Sequence, residues 1–150
     1  MCGIAGIVNL RGNPVEPAEI SRLTSLIAHR GPFGEGTWFN AKRNVAFGHR
    51  RLAIIDPGEG GYQPMVSGDG RHVIVYNGEI YNFLELRREL EAKGAVFRSQ
   101  SDTEVILAAW QAWGEDMLLR FNGMWALAIY DTATDELFLR SEERRVGKEC

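Results

Sequence analysis

At 150 residues, 45% hydrophobic and 25% charged, the chain has the size and composition of one globular domain with room for a sizeable core. A net charge of −3 gives nucleic acid or an anionic membrane no electrostatic reason to bind, and no apolar run approaches the ~20 residues that cross a bilayer. The N-terminus lacks a signal peptide's features, and Cys2 and Cys150 lie at opposite ends, so a cytoplasmic protein without disulfide framework or zinc site is expected.

Cys2 directly follows the initiator methionine, and its small side chain makes removal of Met1 plausible. One residue would then carry both a thiol and a free α-amino group, whose ordinary pKa values lie near ~8.5 and ~8. A nucleophile with its own base a few bonds away is a known catalytic device. Taken alone, a Met-Cys start also reads as a small residue at a frayed end. Ile4, Ile7 and Val8, interleaved with Gly3 and Gly6, predict a buried strand from Cys2 onward. A helix is expected from Pro17 with Ile20, Leu23, Leu26 and Ile27 on one face, ending before His29-Arg30-Gly31-Pro32. The run to Gly36 is loop. Trp38-Phe39 and Val45, Phe47 and His49 fit two antiparallel strands around residues 40–44.

Residues 51–56 continue as extended apolar chain, and residues 57–64 are glycine-rich and irregular. His72–Tyr76 is a strand running into Asn77-Gly78, a strong turn signal, with 79–81 as the return. Asn82 with Glu85, and Ser101 with Glu104, form two capping boxes. The first helix buries Phe83, Leu86 and Leu90 and stops at Gly94. The second presents Val105, Ile106, Ala109 and Trp113 and ends at Gly114. Val96-Phe97 reads as a strand, Met117–Phe121 as a helical turn, and 124–131 with 136–139 as a final hairpin. Antiparallel strands with helices between them predict an α+β domain.

Several motifs then occur in one order: Cys2-Gly3-Ile4, His29-Arg30-Gly31-Pro32, Arg51-Leu52-Ala53-Ile54-Ile55-Asp56, Gln63-Pro64, Asn77-Gly78-Glu79-Ile80-Tyr81-Asn82, Ser101-Asp102-Thr103-Glu104 and Phe121-Asn122-Gly123-Met124. Together they resemble the class II glutamine amidotransferase domain of glutamine-hydrolysing asparagine synthetases. The resemblance implies an N-terminal-nucleophile fold, a four-layer αββα sandwich with antiparallel sheets, over residues 1–139. It leaves 140–150 as a charged tail and suggests that the domain is truncated at its C-terminus.

The resemblance also implies glutamine as substrate and a glutaminase half-reaction. Cys2 is the expected nucleophile, with its own α-amine as proton shuttle. Asn77 and Gly78 are the expected donors to the developing oxyanion, such donors being worth roughly 3–4 kcal/mol each. Arg51 offers a bidentate fork to the substrate α-carboxylate, and Asp102, helped by Glu79, takes the α-ammonium. His29 is set aside as a base because the α-amine fills that role. His29 and Arg30 are expected to order the loop near the site, and Trp110, Trp113 and Trp125 to be core. Neither a metal nor an organic cofactor is expected for this step. ATP and magnesium belong only to a synthetase domain that the chain lacks, and a homodimer stays open.

Three departures from the family pattern stand out: Phe33 in place of an acidic residue, Tyr62 in place of a small residue or histidine, and a charged stretch from Arg140 onward in place of closing strands. Cys150 would then be an exposed spare thiol. Individually, Asn77-Gly78 also reads as a hairpin turn, Asp102 as a helix cap and Arg51 as a surface arginine. The alternatives in function are a non-catalytic glutamine-binding or docking module and an amidotransferase with another acceptor.

Overall fold

The computed structural model describes residues 2–56 and 58–142. Met1, with its expected removal, and Cys150, with its expected exposure, lie outside the described residues, as do Pro57 and most of the charged stretch.

The first sheet consists of β1 (Gly3–Val8), β2 (Glu35–Phe39) and β3 (Val45–Arg50), antiparallel in the order β1-β3-β2. Helix α1 (Pro17–Leu26) lies across it, with Pro17 at its first turn and the Glu16 N–H donating to the Glu19 carboxylate at 2.8 Å. Gly48 makes the close approach possible, because a Cβ there would be 3.2 Å from Ile20 and closer still to Thr24. The buried face of α1 is accordingly Ile20 and Thr24, while Leu23 and Leu26 are exposed, contrary to the predicted stripe. A threonine whose hydroxyl donates to the Ile20 and Ser21 carbonyls is satisfied within its own helix and can be buried.

The second sheet runs β4 (Met65–Val66), β5 (His72–Ile80), β6 (Gly123–Asp131) and β7 (Glu136–Ser141), also antiparallel. Its outer face is covered by α2 (Phe83–Ala92) and α3 (Asp102–Trp113). Strand side chains alternate between faces. Val73 and Val75 of β5 meet Val45 and Phe47 of β3 and Tyr130 of β6 between the sheets. Ile74, Tyr76 and Ile80 instead pack under Leu86, Leu90, Val105 and Ile106. Each fully buried aliphatic side chain contributes about 1.5–3 kcal/mol. The result is the expected sequence of layers: α1, first sheet, second sheet, α2 with α3. Trp110, Trp113 and Trp125 belong to the helix-side core.

Several local expectations are corrected. Asn77-Gly78 is no turn: β5 continues to Ile80, paired with β6 from His72↔Asp131 to Ile80↔Gly123. Glycine serves strand packing there, because a Cβ on Gly78 would be 2.6 Å from the Trp125 Cα. Neither reciprocal capping box forms. The Asn82 side chain joins Arg120 and Asn122 across the fold, and the Glu104 carboxylate accepts from the Arg98 and Ser99 N–H groups, while Ser101 does cap Thr103 at 3.1 Å. Val96-Phe97 forms no strand, β2 starts within the predicted loop at Glu35, and β7 takes in Arg140 and Ser141.

Candidate active site

β1 places Cys2 at the mouth of a pocket between the sheet ends. The Arg30 Nε–H donates to the Cys2 carbonyl at 3.0 Å, so the loop after α1 does anchor the terminus. His29 is exposed and does not line the pocket. The thiol faces the backbone of Leu52, whose N–H lies 3.3 Å from Sγ and whose carbonyl lies 3.6 Å from it. Cys2 shares this pocket with Arg51, Gly78, Glu79 and Asp102. Residues from four segments, up to a hundred positions apart, thus meet around one thiol.

Arg51 follows β3 directly and is only 4% exposed. Its guanidinium donates to the Asp56 carbonyl and lies 4.6 Å from the centroid of the Tyr62 ring. Glycine is required on two sides of Arg51: a Cβ on Gly61 would be 2.5 Å from Nη2, and one on Gly31 would be 2.5 Å from the Arg51 backbone nitrogen. Among the described residues no carboxylate pairs with Arg51, which leaves a buried cation short of a counter-charge. Phe33 is exposed and holds the Arg51 carbonyl through its own N–H at 3.1 Å.

Asp102 opens α3 and is 5% exposed. Its Oδ2 accepts from the Tyr76 hydroxyl at 2.8 Å and the Ile80 N–H at 3.2 Å. Burial raises the Asp102 carboxyl above the usual carboxylate range, although these donors act in the opposite direction. Burial, reinforced by the Asp102 charge, pushes the Tyr76 hydroxyl upward, so it remains a donor.

The edge of β5 supplies a feature that pattern reading missed. β4 pairs only with Val73 and Ile74. Beyond it, the Tyr76 N–H is taken by the Gln63 side-chain oxygen at 2.6 Å, and the Ile80 N–H by Asp102. Backbone donors two apart face the same side of a strand. The Gly78 N–H therefore points to this edge, between those two, and no acceptor among the described residues meets it. Gln63 is held from behind by its Nε2 donating to Thr103 Oγ1 at 3.2 Å. Gln63, Tyr76 and Thr103 also line the pocket. Gln63-Pro64 marked its own importance in the sequence, but Tyr76 read only as a strand residue.

Asn77 is the exception among the expected residues. It faces the other side of β5, its side-chain oxygen is buried without a partner, and it does not line the pocket. Among the described residues no cluster of three or more His, Cys, Asp or Glu is placed to hold a metal, and no helix is long and apolar enough to cross a membrane.

One small concave pocket thus gathers a thiol, an unclaimed backbone donor, a buried cation and a buried carboxylate. The family profile described as "Glutamine amidotransferase domain" matches residues 1–149, and the chain belongs to that family. It is 42% identical over 142 residues to asparagine synthetase [glutamine-hydrolyzing] 3 of Bacillus subtilis, covering 92% of this chain and 22% of that protein. It is 38% identical over 136 residues to asparagine synthetase B [glutamine-hydrolyzing] of Escherichia coli, covering 90% of this chain and 24% of that one. The chain therefore spans about a quarter of these relatives' length. Among solved structures, the glutamine phosphoribosylpyrophosphate amidotransferase of B. subtilis superposes with a TM-score of 0.69 at 24% identity, over 86% of this chain and 35% of that one. That likeness establishes the N-terminal-nucleophile fold.

Proposed function

We propose that this domain hydrolyses glutamine to glutamate and ammonia through a thioester on Cys2. The observation that carries the reading is the convergence of the Cys2 thiol, the free Gly78 N–H, Arg51 and Asp102 on one pocket. With Met1 removed, the Cys2 α-amine takes the thiol proton, and sulfur attacks the side-chain amide carbon. The carbonyl oxygen becomes an oxyanion held by the Gly78 N–H, with Asn77 as a second donor if its amide turns toward the site. The proton passes from the α-ammonium to the amide nitrogen, the C–N bond breaks and ammonia leaves. Water then attacks the thioester and releases glutamate. Arg51 holds the substrate α-carboxylate, while Asp102 and Glu79 hold its α-ammonium.

This step asks for no metal or organic cofactor. By analogy with the much longer relatives, the ammonia is passed to an ATP- and magnesium-dependent synthetase domain, in the cytoplasm. The test is glutamate release by protein whose intact mass shows Cys2 as first residue. Cys2→Ala is expected to abolish turnover, a loss of at least about 10³-fold. Equal rates would remove the mechanism. A second reading, a non-catalytic glutamine-binding module, draws on the burial of the Asn77 amide oxygen away from the pocket. An electrophilic glutamine analogue separates the two, since covalent capture at Cys2 excludes the module.

A further inference from the structure

The segment from Arg51 to Tyr62 carries the pocket's arginine, and among its described residues a turn of 3₁₀ helix at Glu59–Gly61 is the only regular element. One side chain links it to the entrance of α3. Asp56 adopts φ +49°, in the left-handed region that Asp and Asn tolerate better than other non-glycine residues. Its carbonyl oxygen accepts from Arg51 Nη2. Its carboxylate reaches in two directions: Oδ1 accepts from the Gly58 N–H at 3.2 Å, and Oδ2 from the Gln100 N–H at 2.9 Å. Gln100 lies two residues before Asp102, at the entrance to α3. A Cβ on Gly60 would be 2.6 Å from both Oδ2 and the Ser99 Cβ, so glycine keeps room for this bridge. Among the described residues Asp56 forms no ion pair, and its charge is committed to backbone donors on two separate loops. A single residue thus touches the guanidinium at one end of the pocket and the backbone leading to the carboxylate at the other.

We infer that Asp56 is a positioning residue that sets the spacing between Arg51 and Asp102, and so selects ligands whose carboxylate and ammonium are placed as in a free α-amino acid. The inference rests on the glutamine subsites proposed above. It concerns neither the nucleophile nor the oxyanion donors, so its effect falls on binding rather than on chemistry.

Two variants separate side chain from backbone. Asp56→Gly keeps access to the positive φ and removes both acceptors, and Asp56→Asn tolerates the same φ and keeps one acceptor oxygen. For hydrolysis of glutamine, Asp56→Gly is expected to raise KM about tenfold with kcat within about twofold, and Asp56→Asn to fall between it and the wild type. The penalty should shrink for glutaric acid monoamide, which has no α-ammonium and engages only one of the two subsites. Hydrogen exchange at the Gly58 and Gln100 amides should quicken in Asp56→Gly. An unchanged KM, a kcat loss matching the KM rise, or unchanged exchange at Gln100, in a protein that does hydrolyse glutamine, overturns the inference alone. Wild-type protein that neither binds nor hydrolyses glutamine overturns the underlying reading and this inference with it.

Discussion

If Asp102 binds the substrate ammonium as proposed, binding and stability oppose each other within one residue. Its carboxyl lies above the ordinary range in the folded chain because burial disfavours its charge. As pH rises, the unfolded chain therefore loses this proton first. Stability falls from the ordinary carboxylate pKa up to the raised one, and the deficit persists at higher pH. Asp102→Asn keeps a carbonyl oxygen for the Tyr76 hydroxyl and the Ile80 N–H but carries no charge. It is expected to raise the unfolding temperature at about pH 7 relative to wild type, and to weaken glutamine binding by ~3 kcal/mol through loss of a charged hydrogen-bond partner. Thermal unfolding at two pH values and calorimetry with glutamine check both effects. A variant less stable than wild type at neutral pH would contradict this account.

At the scale of elements, β5 is where pattern and structure part. Asn-Gly is a strong hairpin signal only when nothing else claims the strand, and here β6 pairs along all of His72–Ile80. The glycine then answers to β6: a Cβ on Gly78 would press on the Trp125 Cα at 2.6 Å. Gly78→Ala is expected to destabilise the domain by about 1–3 kcal/mol, read from denaturant unfolding, because a backbone neighbour cannot yield as a side chain does. A variant of wild-type stability would show that the two strands separate at little cost. The capping boxes failed for a related reason. Asn82 found its partners at Arg120 and Asn122, which no window of local sequence contains, and Glu104 reached back past its cap to the Arg98 and Ser99 N–H groups. Strand β1, the β2–β3 and β6–β7 hairpins and the buried faces of α2 and α3 were legible because periodicity and turn chemistry are local. Of the site, Cys2, Gly78, Arg51, Glu79 and Asp102 were legible as motif residues. The roles of Gln63 and Tyr76 were not, since they follow from β4 being too short to cover β5.

For the molecule as a whole, the space between the sheets sets the acid limit. His49 on β3 is 1% exposed, and burial lowers its pKa from 6.5 to about 4, with the nearby Arg51 charge adding to the effect. A histidine depressed in the folded state contributes stability that is complete above pH 6.5 and is lost as pH falls toward 4, because the unfolded chain takes up the proton first. At ~1.4 kcal/mol per pKa unit the loss is about 3 kcal/mol, large against the 5–15 kcal/mol of an ordinary domain. A His49→Gln variant is expected to flatten this limb, as measured by denaturant midpoints between about pH 4 and 7. A limb of unchanged slope would place the acid sensitivity elsewhere.

β4 stops opposite Ile74, with Tyr76 still between it and Gly78, and the consequence reaches beyond the pocket. A group that meets the Gly78 N–H on that border has to present a carbonyl as a neighbouring strand would. An amide-tipped side chain meets that demand and a hydrocarbon of equal length does not. On the proposed reading the substrate amide would sit there as a single stitch in an unfinished hem, and a chain that closed the hem by itself would have nowhere to seat it.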